Sequence, residues 1–193
     1  MAGYGIAQTV QHLMHRRTTR ARDILLDEIR CGEKLLTASE VDGSVAVLLY
    51  GRAAREGAAR LNLRLMAKVI AGQARQSTLY ADEFLRHADV IAGLRHEEVI
   101  LLGALQRNWN TAETQAMADD ERMSAVYRLL ETELIPEPFA DASELAAVQS
   151  AVLRTGFLSG VPTFGGAIYK PTRAFHRLCR ILSLASALKD EPT

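Results

Sequence analysis

The spacing of apolar residues along this chain constrains its fold more than any other sequence feature. Intervals of three and four match the period of an α-helix. In the first segment, from about Ile6 to Leu36, the apolar residues that recur at these intervals are Ile6, Val10, Leu13, Met14, Ala21, Ile24, Leu25 and Ile29. The same period predicts helices over about 44–73, 78–93, 95–107, 119–134, 141–155 and 172–188. The sequence therefore predicts a mostly α fold with long N-terminal helices.

The predicted second helix, about 44–73, would be longer than an average helix. Ser39 or Asp42 is a plausible N-cap before it. Gly51 and Gly57 interrupt its middle, which is rich in alanine, arginine and glycine, and either could kink it. Small residues there would let another helix approach closely.

The pattern changes after Gly156, which follows Thr155 as a typical helix stop. Phe157 and Leu158 form a short apolar pair, 159–166 is turn material rich in glycine and proline, and 167–169 is typical of a short strand. Pro171 is expected at the start of the closing helix, and Thr172 can cap it. These features predict one short β-hairpin between two helices.

The order of three helices, a hairpin and a closing helix resembles a winged-helix domain. The residues that carry the resemblance are Ala151–Leu158 and Ala167–Phe175: many winged helices end the third helix with a Leu-x-x-x-Gly phrase, where this chain has Leu153-x-x-Gly156, and Tyr169-x-x-Thr172 leads back into the closing helix. The resemblance covers about 95–188. It implies a winged fold that either contacts DNA through its third helix or serves for packing and protein contacts.

A second resemblance covers more of the chain and is one of spacing more than identity. Residues 56–70, 97–105 and 154–172, with Phe84 and Leu94, are similar to the bacterial Abi-alpha-like domain of unknown function. This resemblance implies a bacterial protein linked to phage defence or mobile elements.

Composition places the chain among ordinary globular proteins and bears on its compartment. Apolar residues make up 48% of the chain, and 23 basic residues balance 23 acidic ones, so no excess positive charge marks a nucleic-acid coat protein. Cys31 and Cys179 are far apart and are expected to be free thiols, with a long-range disulfide as the alternative. We expect no signal peptide and no membrane span, since the apolar runs are short. The prediction is a cytoplasmic protein with a long-helix region over 1–94, a winged-helix-like domain over 95–189 and a tail over 190–193.

Candidate binding residues are all basic. They are Arg16, Arg17, Arg20 and Arg22 in the first helix, Arg154 at the end of the third helix of the winged region, and Lys170, Arg173 and Arg177 near the closing helix, which also carries Arg180. The first group could contact phosphates on nucleic acid or an anionic lipid surface. The alternative is a solvated face that pairs with Asp23, Asp27 and Glu28. The third helix itself begins with Asp141 and Glu144, which disfavours DNA contact there.

Motifs for catalysis, metal binding or cofactor binding are not recognisable in the sequence. The chain has no nucleophile elbow, no phosphate-binding loop and no Glu-x-x-His pair, and Glu83 with His87 is interpreted as a surface pair. The leading hypothesis is a non-catalytic bacterial binding protein with a protein partner, in a phage-defence or mobile-element system. The alternative is a dimeric winged-helix transcription regulator that binds DNA. In both cases a homodimer is expected, because long helices with small residues can bury a second face against another copy.

Overall fold

The fold is that of a computed structural model, which describes residues 2–30, 40–75, 81–163 and 166–189. The chain divides into two compact units between Gly93 and Leu94. Helices dominate both units, and the described strands form one two-stranded antiparallel hairpin in the second. The predicted mostly α fold with one short hairpin is therefore confirmed.

The first unit contains helices packed around a shared apolar core. They are α1 (Ala2–Arg30), α2 (Glu40–Glu56), α3 (Arg60–Arg75) and α4 (Ala81–Ala92). The C-terminal half of α1 packs on α3 and α2 through Ala21, Ile24 and Leu25, all buried. α4 adds Phe84 and Ile91, which are fully buried. Among the side chains of α1 that are described, 11–30, the buried apolar ones lie in the C-terminal part, whereas Leu13 and Met14 are exposed.

Gly57 separates α2 from α3. It has a φ of 96°, a conformation that glycine adopts without the steric cost that a Cβ atom brings. The single helix predicted over about 44–73 is therefore wrong: two helices meet at a left-handed turn. Asp42 was wrong as an N-cap candidate, because α2 begins at Glu40 and Asp42 is inside the helix, while Ser39 lies outside the described residues.

Several polar groups inside the first unit have partners, whereas both amide atoms of Gln73 and Nε of Arg60 are buried without a hydrogen bond among the described residues. Glu28 on α1 lies 3.8 Å from the Arg64 guanidinium and 3.4 Å from the Lys68 ammonium, and all three side chains are mostly buried. The Tyr50 hydroxyl donates to the Ala21 carbonyl at 2.8 Å. Its burial, with the charge of Glu28, raises the pKa of Tyr50 well above the usual value, so the phenol stays protonated. These contacts fix α1 against α2 and α3.

The second unit holds more and shorter elements. They are α5 (His96–Trp109), α6 (Ala112–Gln115), α7 (Asp119–Leu134), α8 (Ala142–Val152), a 3-10 turn (Leu153–Thr155), β1 (Leu158–Thr163), β2 (Gly166–Pro171), α9 (Arg173–Ile181) and α10 (Leu184–Lys189). α5 lies at the centre, with α7, α8 and α10 packed against it. Gly103 gives α10 its closest approach, since a Cβ atom there would lie 3.3 Å from Leu188.

The hairpin begins where Gly156, at a φ of 70°, turns the chain out of the 3-10 turn. Leu158 pairs with Pro171 at its base, and Val161 pairs with Ile168 further along. Residues 159–163 were expected as turn material. They instead form most of β1, because the antiparallel pairing of the hairpin extends beyond the short strand predicted over 167–169. Pro171 ends β2 and does not begin a helix. Thr172 caps α9, as predicted, by accepting from the Phe175 amide.

The predicted closing helix, 172–188, is interrupted at Leu182 and Ser183. Gln106 on α5 spans the break: its amide nitrogen donates to the Leu182 carbonyl at 3.0 Å, and its oxygen accepts from the Leu184 amide at 2.8 Å. These bonds satisfy backbone groups that a continuous helix would have paired internally. α6, capped by Thr111, lies in the polar stretch 108–118, for which no helix was predicted. None of the described helices combines the length and apolar character that crossing a membrane requires.

Candidate functional site

The arginines of α1 lie on a helix segment that the rest of its unit leaves in solvent. From Gln11 to Arg20 every side chain is exposed except Thr19, which is half-buried. Arg16, Arg17, Arg20 and Arg22 are all exposed. The structure thus places the four predicted residues together on one solvated stretch.

A shallow cleft of about 600 Å³ runs along this segment. Its lining residues are Leu13, His15, Arg16, Arg17, Thr19, Arg20 and Asp23. The predicted pairing of this face with acidic residues is limited. Arg22 pairs with Asp23 at 3.3 Å, whereas Glu28 points to Arg64 and Lys68. Across the described residues, no carboxylate lies within ion-pair distance of Arg16, Arg17 or Arg20.

Arg154 has a different environment. Its guanidinium donates to both carboxylate oxygens of Glu98, at 2.5 and 2.8 Å, and Glu98 is only 1% exposed. The Glu98 carboxylate also accepts from the Arg95 amide at 2.8 Å, so it caps α5 as well. Hydrogen bonding to Glu98 raises the pKa of Arg154 above its ordinary value. Arg154 therefore joins the end of α8 to the start of α5, and most of its charge is neutralised.

The third helix of the predicted winged region, α8, presents acids at its exposed N-terminal end. Asp141 accepts from the Glu144 amide at 2.9 Å, and Glu144 accepts from the Ala140 amide at 2.7 Å. Lys170, near the end of β2 in the hairpin, lies 3.6 Å from Asp119. These carboxylates lower the positive charge available around α8 and the base of the hairpin.

The basic residues of α9 line a second cleft, of about 510 Å³, between α9 and the C-terminal end of α5. Arg173, Arg177 and Arg180 are exposed along it. The spacing of these arginines was visible in the sequence. Trp109 and His176, which face each other at 5.6 Å between ring centroids, were not predicted as site residues. A contact across 67 residues of sequence leaves no local pattern that could have revealed them.

The electrostatics of the α5–α9 cleft are those of a cationic pocket. The Arg122 guanidinium on α7 lies 4.4 Å from the Trp109 ring centroid and donates to the Trp109 carbonyl at 2.7 Å. Burial, together with the charge of Arg122, lowers the pKa of His176. Burial also raises the pKa of the Cys179 thiol to about 12, so this cysteine is not a thiolate nucleophile at neutral pH.

Other predicted features fall elsewhere. His87 is buried at 6% exposure, so its interpretation as a surface residue was wrong, because it lies on the core side of α4 with Phe84 and Ala88. The Glu83 side chain and Cys31 lie outside the described part. Within that part, no group of three histidine, cysteine or carboxylate side chains is arranged to hold a metal ion.

No family model matches this chain, and neither the curated proteins nor the solved structures provide a match. The winged-helix and Abi-alpha-like resemblances therefore stay predictions.

Proposed function

We propose that this chain is a non-catalytic binding protein that contacts the phosphates of a nucleic acid through the exposed arginines of α1. One observation carries the proposal. Arg16, Arg17 and Arg20 lie in one cleft on a solvated helix, and none of them forms an ion pair with a carboxylate of the described residues, although Asp23 also lines the cleft. Guanidinium groups of this kind are the usual phosphate contacts of nucleic-acid-binding proteins.

Nucleic acid suits this segment better than a lipid surface. An interfacial helix needs a broad apolar face that can enter the acyl boundary. Over 11–20, the only large aliphatic side chains are Leu13 and Met14, and polar residues surround them. The segment therefore offers charge without the apolar area that would hold a helix in a membrane.

The proposed phosphate contact is through α1 and not through α8, the third helix of the predicted winged region. Arg154 is paired with Glu98, and Asp141 and Glu144 are exposed at the N-terminal end of α8. Phosphates would be repelled from that end. The transcription-regulator alternative from the sequence is thus retained in part, with α1 as the DNA-binding element.

A double substitution tests the proposal directly. Arg16→Ala with Arg20→Ala removes two cleft arginines, whereas Arg55→Ala removes one exposed arginine of α2 that does not line the cleft. Binding of mixed-sequence duplex DNA is measured by fluorescence anisotropy at about 50 mM salt. We expect the double variant to bind at least tenfold more weakly and the Arg55 variant to bind like the parent. Equal binding by all three proteins would contradict the proposal.

In the predicted homodimer, apolar side chains that are exposed on the first unit would contact a second copy of the chain. Leu13 and Met14 of α1 are 50% and 41% exposed, and Val47 and Leu48 of α2 are 48% and 66% exposed. Large apolar side chains exposed on neighbouring positions of a helix can contribute to an interaction surface. A dimer would also double the number of α1 arginines presented to one duplex. If DNA binding fails, the protein-partner hypothesis becomes the leading one.

A further inference from the structure

The cleft between α5 and α9 differs from the α1 cleft in being backed by buried aromatic side chains. Trp109 is 7% exposed and Phe175 only 1% exposed, and both line it. Its volume of about 510 Å³ lies within the range of small-molecule sites, about 300–1,000 Å³. The cleft therefore has the size for a compact ligand.

The charged side chains that line the α5–α9 cleft are all positive. Arg173, Arg177 and Arg180 follow one another at helix spacings of four and three, so they share one face of α9 and form a row about 10 Å long. None of the lining residues is acidic, and no carboxylate of the described chain pairs with any of the three. Arg122, behind Trp109, adds a further positive charge.

The other polar groups that line the cleft restrict the chemical class of the ligand further. Gln106 is fully used, because its amide bonds backbone groups at 182 and 184. The donors left for a ligand are the three guanidinium groups, Asn110 and His176. A carboxylate has two oxygens to offer such a set, whereas a phosphoryl group has three and carries more charge. The donor set thus favours phosphate over carboxylate.

We propose that the α5–α9 cleft is a binding site for a small phosphorylated ligand, held by Arg173, Arg177 and Arg180 against the Trp109 wall. This site is separate from the α1 arginines and does not depend on the nucleic-acid function. Arg177, at the centre of the row, is the residue whose loss should weaken binding most.

The single tryptophan of the chain lines the cleft and reports on it directly. Inorganic pyrophosphate is titrated into the full-length protein while Trp109 fluorescence is recorded, with sodium chloride at matched ionic strength as the reference. We expect a saturable change with a dissociation constant of about 1 mM or tighter. Arg177→Ala with Arg180→Ala should weaken it at least tenfold, while Arg128→Ala, an exposed arginine of α7 outside the lining, should leave it unchanged.

The outcomes separate this site from α1. The Arg16→Ala, Arg20→Ala variant should bind pyrophosphate like the parent, whatever it does to DNA binding. The proposal is overturned if pyrophosphate gives no saturable change, if sodium chloride alone reproduces it, or if Arg128→Ala weakens it as much as the α9 variant. It is also overturned if a single-stranded oligonucleotide changes Trp109 fluorescence while pyrophosphate does not, because the ligand would then be a strand and not a small molecule.

Discussion

Arg154 and Glu98 form a two-bonded ion pair that joins the 3-10 turn after α8 to α5 across 56 residues of sequence. Glu98 is almost fully buried and caps α5 through the Arg95 amide, so its charge needs a partner. Arg154 supplies that partner from a half-exposed position. A residue that was a candidate DNA contact in the sequence thus has a structural role that explains its position.

Substitution of Arg154 by Met should lower the free energy of unfolding by about 2 kcal/mol, because it leaves a buried carboxylate with only its cap bond. Arg154→Lys should lose less, since an ammonium can restore part of the charge. Urea unfolding followed by circular dichroism measures both, with Arg128→Ala as the surface control. DNA affinity of the folded Arg154→Met protein should equal that of the parent. A stable variant with reduced DNA affinity would show that Arg154 contacts nucleic acid after all.

Gly57 and Gly51 should respond to alanine in opposite directions. Gly57 has a φ of 96°, so a Cβ atom there should cost about 1–2 kcal/mol. Gly51 is inside α2 with no atom within 4 Å of an added Cβ, so alanine should stabilise by about 0.5–1 kcal/mol. Thermal unfolding of the two variants beside the parent measures the difference. Equal shifts would mean that α2 and α3 do not meet at a left-handed turn.

His176 should titrate below the ordinary histidine pKa of about 6.5. Burial and Arg122 lower the pKa in the folded protein, so the unfolded chain binds a proton first as the pH falls. The free energy of unfolding should therefore decrease below about pH 6.5, through the interval down to the folded pKa. Proton NMR of the ring across pH 4–8 follows the pKa. His176→Gln, which cannot titrate, should show a weaker acid destabilisation, and an unshifted His176 resonance would contradict this.

Lysine in place of Leu48 or Leu13 should weaken self-association. Both side chains are at least half exposed, so the substitution leaves the core of the unit intact while it adds charge to the proposed dimer surface. Sedimentation velocity at micromolar concentration should show a dimer for the parent and a shift to monomer for the variants. Leu129→Lys, which changes an exposed side chain of α7, is the matched control. A monomeric parent would rule out the dimer at that concentration.

Local sequence signals predicted much of the helical framework. α7 was predicted over 119–134, and the structure has it at Asp119–Leu134, because an amphipathic period ends there at Pro136 and Pro138. Thr172 acts as the predicted cap, and of the two candidates for α8 in the sequence, Asp141 and Ser143, Asp141 is the cap; each cap accepts from an amide three residues ahead. Such features depend on neighbouring residues and can be recognised without the fold.

The features that the sequence did not predict depend on distant contacts. The break between α9 and α10 is held by Gln106, more than 70 residues away, and the partner of Arg154 lies on α5. The α9 arginines were recognisable by spacing, but the wall that makes them a cleft comes from Trp109. The α1 arginines were predicted as a group, whereas their exposure, and the approach of the Arg17 guanidinium to Gly57, depend on how α1 packs on the other helices of its unit.

The salt dependence of duplex DNA binding by the parent protein tests the central claim most directly. Anisotropy titrations between about 50 and 200 mM salt give the slope of log affinity against log salt. Contact through Arg16, Arg17 and Arg20 predicts micromolar or tighter binding at the low end and a slope of about −3 or steeper, which Arg16→Ala with Arg20→Ala should flatten by about two units. Absence of binding at the lowest salt would contradict the claim, and so would a slope that the double variant leaves unchanged.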